Sequence, residues 1–327
     1  MLRFLIRRLL GALVILLVIS AVTFFLFYAI PRNPALLACG KGVCTDDQLA
    51  VVEHNLGIDE PVPVQYWHYM VGIFAGRDFP AGHCPAPCLG FSFRDNRPVL
   101  DTILDRLPTT ISLTIGGAVV FLILGLGFGM LAAWRRGTLL DRVVSSASLV
   151  LSSMQIYFLG PLALAVLVYS DHQIFPQPEY VPFTENPWGW CKGLLLPWLV
   201  LATIFTANYT RMSRATLVEQ LQEDHVRTAR AKGMSQATVF FRYAWRGSLI
   251  PIVTIFGVDL GSLFGGAMIT EFTFTLPGLG RLAVESVTQS NLPMLMGVML
   301  FAALMIVLFN IIVDACYALI DPRVRLA

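Results

Sequence analysis

Long apolar runs alternate with polar segments along this chain, and six of the runs are long enough to matter. Residues 9–30, 109–133 and 143–170 contain no Asp, Glu, Lys or Arg. Residues 193–210 are also uncharged but shorter; 248–270 contain a single acid, Asp259, and 294–320 a single acid, Asp314. A hydrocarbon core about 30 Å thick is crossed by roughly 20 apolar residues in a helix. Helices close their own backbone hydrogen bonds in lipid, which open strands and loops cannot. The pattern therefore predicts an all-α integral membrane protein with six transmembrane helices. The first run exceeds the about 7–15 residues of a signal-peptide core, and no small-residue cleavage site follows it, so it reads as a retained helix.

Composition agrees. Hydrophobic residues make up 56% and charged residues 13% of the chain, against roughly 25% charged in soluble domains. Lys and Arg set the expected orientation. With the N-terminus, second loop, fourth loop and C-terminus on one side, that side holds fifteen of the 23 and the other holds eight. Six of those eight lie in one long loop, where the rule has little force. Both termini are thus expected in the cytosol, with residues 31–108 outside. The boundaries that follow are 1–30 (tail and first helix), 31–108 (outer domain), 109–320 (membrane core, including a cytosolic elbow at 211–247) and 321–327 (tail).

The outer segment carries Val64, Tyr66, Trp67, Tyr69, Ile73, Phe74, Phe91 and Phe93 and reads as a small domain of short helices and turns, too small for a large core. Cys39, Cys44, Cys84 and Cys88 supply the missing constraint. Four cysteines in an oxidising exterior indicate two disulfides with three possible connectivities. Local pairing, Cys39 with Cys44 and Cys84 with Cys88, is the first choice because the loops are short. The alternative is a metal site of His83, Cys84 and Cys88, weakened because zinc sites favour CxxC spacing; no metal is expected. Cys191 would stay unpaired outside, and Cys316 buried in the last span.

The fourth loop has its own period. Leu217, Leu221 and Thr228 share one helical stripe, with Glu219, Glu223 and Asp224 toward water. Gly233 is suited to end this helix, since glycine takes the left-handed conformation freely. Ser235 can cap a second helix, whose apolar side is Val239, Phe240 and Tyr243, before the chain re-enters the membrane at Ser248. Those aromatics lack an obvious burial partner, which a groove on another protein would supply.

In the fifth span Gly257, Gly261 and Gly265 repeat every four residues, a face open to close helix approach at a pore or subunit interface. Asp259 at that depth belongs in a bundle interior or beside water. A substrate amine, a partner helix and a structural hydrogen bond all remain open to it. Glu271 reads as hydrated near the outer boundary, and Asp314 as an anchor or a partner of Arg323. Arg211 and Arg214 read as snorkelling anchors, and Trp188 and Trp190 as an interfacial belt. No Ser/His/Asp triad or paired-carboxylate arrangement is legible. The chain has only three lysines, none in a phosphate-binding GxxxxGK[ST].

The run Glu223-Asp-His-Val-Arg-Thr-Ala-Arg-Ala-Lys-Gly233 resembles the cytosolic signature of bacterial ABC importer permeases of the dipeptide/oligopeptide/nickel family. Arg227, Thr228 and Ala229 stand at its triplet, with Gly233 as its glycine. The Glu of the general pattern and its Leu-Pro ending are absent, and His225 replaces a common Tyr. Further segments look like the same family: Leu2-Arg-Phe-Leu-Ile-Arg-Arg-Leu9, Arg106-Leu-Pro-Thr109, Arg135-Arg136-Gly137 with Leu140-Asp141-Arg142, Phe274-Thr-Leu-Pro-Gly-Leu-Gly-Arg281 and Asp321-Pro-Arg-Val-Arg325. Residues 34–90 match poorly, and 154–160 lack the proline usual there.

The resemblance implies a type I ABC importer permease fold in the bacterial plasma membrane, with a disulfide-containing outer insertion between helices 1 and 2. It implies a peptide importer subunit that is not itself an enzyme. This chain would bind no cofactor; partner ATPases would use ATP and Mg. The implied partners are a second permease in a heterodimer, two cytosolic ATPase subunits or one fused ATPase, an outer substrate-binding protein and the bilayer, with no nucleic acid. Arg227, Thr228, Ala229, Lys232, Gly233, Met234 and Ser235 would form the coupling elbow. Competing readings are a nickel-chelate or other small-solute importer, an ion-coupled secondary transporter, for which intramembrane acids and internal repeats are wanting, and an intramembrane enzyme, for which facing His or Asp pairs are wanting.

Overall fold

The longest helices overrun the apolar stretches that nucleate them. In a computed structural model, which describes residues 2–26, 45, 61–79, 82–92, 94–95, 97–170 and 174–320, the second predicted span lies inside the 36-residue helix Val99–Trp134. The fourth lies inside the 34-residue helix Pro187–Gln220. At about 1.5 Å per residue the latter reaches roughly 51 Å, well beyond a ~30 Å hydrocarbon core. Its start is set by Pro187 in the first turn and by Asn186, whose side chain accepts from the Gly189 amide, a normal N-terminal pairing.

Numbered in chain order, the helices are α1 (Leu2–Phe24), α2 (Val62–Ala75), α3 (Val99–Trp134), α4 (Leu139–Ser153), α5 (Ile156–Ala163), α6 (Pro187–Gln220), α7 (Asp224–Ala231), α8 (Gln236–Thr238), α9 (Trp245–Thr273), α10 (Leu279–Thr288) and α11 (Leu292–Ile320). Two antiparallel strand pairs depart from the all-α expectation. Arg77–Phe79 (β1) pairs with Gly82–Cys84 (β2), and Phe91–Ser92 (β3) with Arg97–Pro98 (β4). The chain falls into two units, Met1–Thr109 with Pro277–Ala327, and Thr110–Leu276.

Among the described residues, α3, α6 and Leu292–Ile312 are long and apolar enough to cross a membrane, or four spans if one bent pair counts as one. The expected six are therefore not all reached on length and composition; the first apolar helix is met over only Arg8–Phe24. The bent pair corrects the third predicted span. Residues 143–170 do not form one helix: α4 and the segment from α5 to Val168 meet at 101°. Met154 and Gln155 are extended, with ψ of 132° and 145°. Just before them the Ser152 and Ser153 hydroxyls both donate to the Leu149 carbonyl, the local competition by which serines weaken a helix end.

In the first unit α1 and α10 pack on α11. The Asn291 amide reaches Ser92 Oγ at 2.8 Å and Asp95 Oδ2 at 3.2 Å, tying the β3 turn to the start of α11. Phe91 is buried, but Val64, Trp67 and Phe74 are exposed, and Phe93 lies outside the described residues. In the second unit α6 is the hub, packed by α4 and α9. Its core includes Leu113, Phe121, Trp198, Leu201, Tyr209 and Leu263.

Candidate functional site

The elbow is built by two helix-boundary signals two residues apart. α7 ends on Gly233 at φ 73°. The Met234 amide donates to Ala229 O and the Gly233 amide to Arg230 O, the paired bonds of a Schellman stop. Ser235 then takes an extended conformation, and its Oγ accepts from the Thr238 amide at 3.3 Å. From Gln236 onward the backbone stays helical without interruption: α8, a π-helical segment Val239–Ala244, then α9 to Thr273. The second elbow helix and the predicted fifth span are thus one continuous helix. No loop separates the capping serine from the far end of α9.

The predicted first elbow helix is also corrected. It does not run from Leu217 to Gly233, because α6 stops at Gln220 and α7 starts afresh at Asp224. Arg227 is exposed and pairs only loosely with Asp224, at 3.6 Å; Thr228 Oγ1 donates to Asp224 O. Residues 230–238 are exposed throughout, with Lys232, Gly233, Met234 and Ser235 at the tip.

The aromatics predicted to await a partner are largely buried within the chain. Val226, Ala229, Val239, Phe240 and Ala244 form a core with Ala133 and Leu217. Trp134 stacks edge-on to Phe240 at 4.8 Å. Only Phe241 stays exposed, at 57%. Ala229, one of the predicted coupling residues, thus anchors the elbow rather than presenting itself.

Beneath the elbow lies an ion pair that sequence reasoning missed. Arg214 Nε donates to Asp141 Oδ1 at 2.5 Å and Nη2 to Oδ2 at 2.9 Å. The Gly137 amide donates to the same carboxylate at 2.9 Å. The Asp141 side chain is 6% exposed and that of Arg214 32%. Arg214 is therefore not a snorkelling anchor but a clamp between α4 and α6. The available signal was the Leu140-Asp141-Arg142 segment, read only as a resemblance. Arg211 bonds to Asn208 Oδ1 at 2.7 Å.

A close helix approach that the sequence reading did not single out is made by α3 on α6. A Cβ on Gly129 would meet Ser213 Cβ at 2.7 Å and Thr210 O at 2.8 Å; one on Gly125 would meet Tyr209 Cβ at 2.7 Å. The spacing Gly125 to Gly129 was the overlooked signal. Of the predicted face, Gly257 and Gly261 are buried in α9 and Gly265 lies in the same helix. Asp259 is half-buried and lies within electrostatic reach of Tyr209, without a formed hydrogen bond to it.

Glu271, expected to be hydrated, is fully buried. Trp188 is exposed as a belt residue would be, but Trp190 turns inward onto Trp198 at 4.8 Å. Cys84 and Cys88 are joined in a disulfide and Cys191 is free. His83 pairs with Asp78, so the alternative His83, Cys84 and Cys88 set offers no thiolates. Cys39, Cys44, His54, His172 and Arg323, and the side chains of Asp314 and Cys316, lie outside the described residues.

A largely helical chain with several helices long and apolar enough to cross a membrane, carrying a capped, exposed elbow, defines a membrane component. Comparison with known proteins gives the particular class. Residues 1–114 match the N-terminal part of the binding-protein-dependent transport system membrane component. Residues 125–326 match the binding-protein-dependent transport system inner membrane component. The chain is 34% identical to a putative peptide transport system permease protein of Brucella abortus, over 98% of both chains. It is 33% identical to the dipeptide transport system permease protein DppB of Alkalihalophilus pseudofirmus, over 99% of this chain and 100% of that one. It is 34% identical to the glutathione transport system permease protein GsiC of Salmonella choleraesuis, over 99% of both. The chain belongs to the family of binding-protein-dependent transport system inner membrane components. It is an inner-membrane transport subunit, not the ATPase, and its family works with a substrate-binding protein and an ATPase.

Proposed function

We propose that this chain is one half of the translocation pathway of an ATP-driven importer of di- or oligopeptides. Its partner across the pathway is a second, related permease. Two ATPase subunits, or one fused ATPase, grip the elbow and use ATP and Mg; an outer binding protein delivers cargo. Six helices cross the membrane, with α1 and α9 added to the apolar spans, both termini in the cytosol and the Cys84–Cys88 disulfide outside. Peptide cargo is carried by the names of the relatives, and a glutathione-like tripeptide by another.

The observation that carries the coupling role is mechanical. The exposed tip at 230–238 is joined through the Ser235 cap to an unbroken helical rod ending at Thr273. A push on the tip is transmitted along that rod as rigid-body motion, the basis of alternating access. The Asp141–Arg214 clamp and the Val226–Phe240 core keep the elbow from yielding instead. Asp259 on the same rod moves with it.

The test is uptake of a labelled dipeptide by the complete complex in proteoliposomes. Arg227→Glu, at an exposed site, should reduce uptake about tenfold or more, since a reversed interface charge costs more than the 1.4 kcal/mol of one decade. Unchanged uptake would refute docking at the elbow. Uptake of glutathione or a nickel chelate in place of the dipeptide would keep the machine and change its cargo.

A further inference from the structure

A deep apolar groove in the first unit belongs to none of the parts described so far. Leu13 and Leu17 of α1 form one wall, Met70 and Phe74 of α2 a second, and Leu300 and Leu304 of α11 the third; the volume is about 460 Å3. The lining has one hydroxyl, Ser20, and it is already engaged. Ser20 Oγ donates to Leu17 O at 2.9 Å and sits 2.8 Å from the Tyr66 hydroxyl. No charged group faces the groove. Water needs two to four polar partners and will not fill such a space, while an engineered apolar cavity of about 150 Å3 already takes up benzene.

The groove's position identifies its occupant. Leu300 and Leu304 lie well inside the apolar span Leu292–Ile312, about 12–18 Å from its start at 1.5 Å per residue. That is the depth of hydrocarbon in a ~30 Å core. The groove is also continuous with lipid-suited surface. Leu10, Val14 and Val18 of α1 are exposed beside it, as are Leu308 and Ile312 of α11. α2 adds a stripe of its own: Val64, Trp67, Val71 and Phe74 are exposed at spacings of three and four, so they share one face. This helix contains no charged residue. It lies along α1 through Phe24 to Tyr66 ring contacts at 5.4 Å and Phe24 to Tyr69 at 5.8 Å. In water that stripe would be a large apolar patch needing a partner; in lipid it is an interfacial helix.

We propose that the groove between α1, α2 and α11 holds one phospholipid acyl chain, and that α2 lies in the bilayer as an interfacial helix rather than in a water-exposed domain. The groove takes the chain and leaves the headgroup outside, since the lining offers no polar group for it. Ser20, by bonding Tyr66, holds α2 against α1 and keeps the groove open.

The test uses the complete complex in nanodiscs containing phosphatidylethanolamine with a diazirine on one acyl chain. After photolysis, labelled residues are mapped by mass spectrometry. Label should concentrate on Leu13, Leu17, Met70 and Leu304. Leu304→Trp, which fills the groove from a partly exposed position, should cut that label about tenfold, as expected when an indole excludes part of the acyl chain. Label at Ile312, on the same helix outside the groove, should not change. Ile73→Phe is the milder variant should the tryptophan disturb folding. Even label along α1 and α11, indifferent to both substitutions, would overturn the proposal. So would a groove that stays unlabelled and instead cross-links to another protein of the complex.

Discussion

Two glycines carry opposite demands in this chain. At Gly233, in the elbow, the backbone sits at φ 73° while the space around a notional Cβ is empty. At Gly129, where α3 crosses α6, the backbone is ordinary helix while a Cβ would strike Thr210 O at 2.8 Å. The first glycine is required by local conformation, the second by tertiary approach. The elbow is therefore written in a few consecutive residues, and the crossing in residues some eighty positions apart. The proposed coupling would use both: a tip shaped independently of its surroundings and a base whose helices cannot slide.

The largest effect is expected at the base. Gly129→Leu forces α3 off α6 and should cost about 3 kcal/mol or more, at the upper end for overpacking; little folded protein should survive detergent extraction, as judged by gel filtration. Next comes the clamp. Asp141→Ala leaves Arg214 without its carboxylate and should cost about 2 kcal/mol, less than a fully buried pair because Arg214 is partly exposed. Arg214→Ala added to it should then cost little, a non-additivity readable in thermal unfolding of the double-mutant cycle. The smallest structural effect is at the tip. Gly233→Ala should cost only about 1 kcal/mol of left-handed strain, and Gly233→Asn less, because Asn tolerates that region. Equal losses at Gly129 and Gly233 for alanine and asparagine alike would erase the distinction between conformational and packing glycines.

The same distinction explains what could be read in advance. Gly233 and Ser235 announce themselves through helix-stop and helix-cap chemistry that acts within a few residues, and the structure uses both as expected. The apolar periods of α3, α6 and α11 were equally legible, because burial in lipid depends on local run length. The elbow's inner face was not. Val239 and Phe240 read as docking residues in sequence, whereas Trp134, a hundred positions earlier, packs against them. Likewise the 101° break after Ser153 comes in a run with no charge to mark it; only the serines hint at it. The Asp141–Arg214 clamp and the Gly129 crossing depend on which helices become neighbours, and a single sequence does not encode neighbours openly. The apolar residues of α2 are visible in the sequence as those of a small outer domain, but period alone does not tell a protein interior from a bilayer.

Docking of the elbow tip on the ATPase is tested most directly by a cysteine placed there. Met234 is 37% exposed at the tip, so Met234→Cys in the assembled complex can be joined to a neighbour by a short bismaleimide. The elbow reading predicts a product containing this chain and the ATPase subunit, with a yield that changes when ATP is bound. A transport-competent complex in which Cys at 234 reacts freely with a soluble maleimide, and never links to the ATPase, would contradict it.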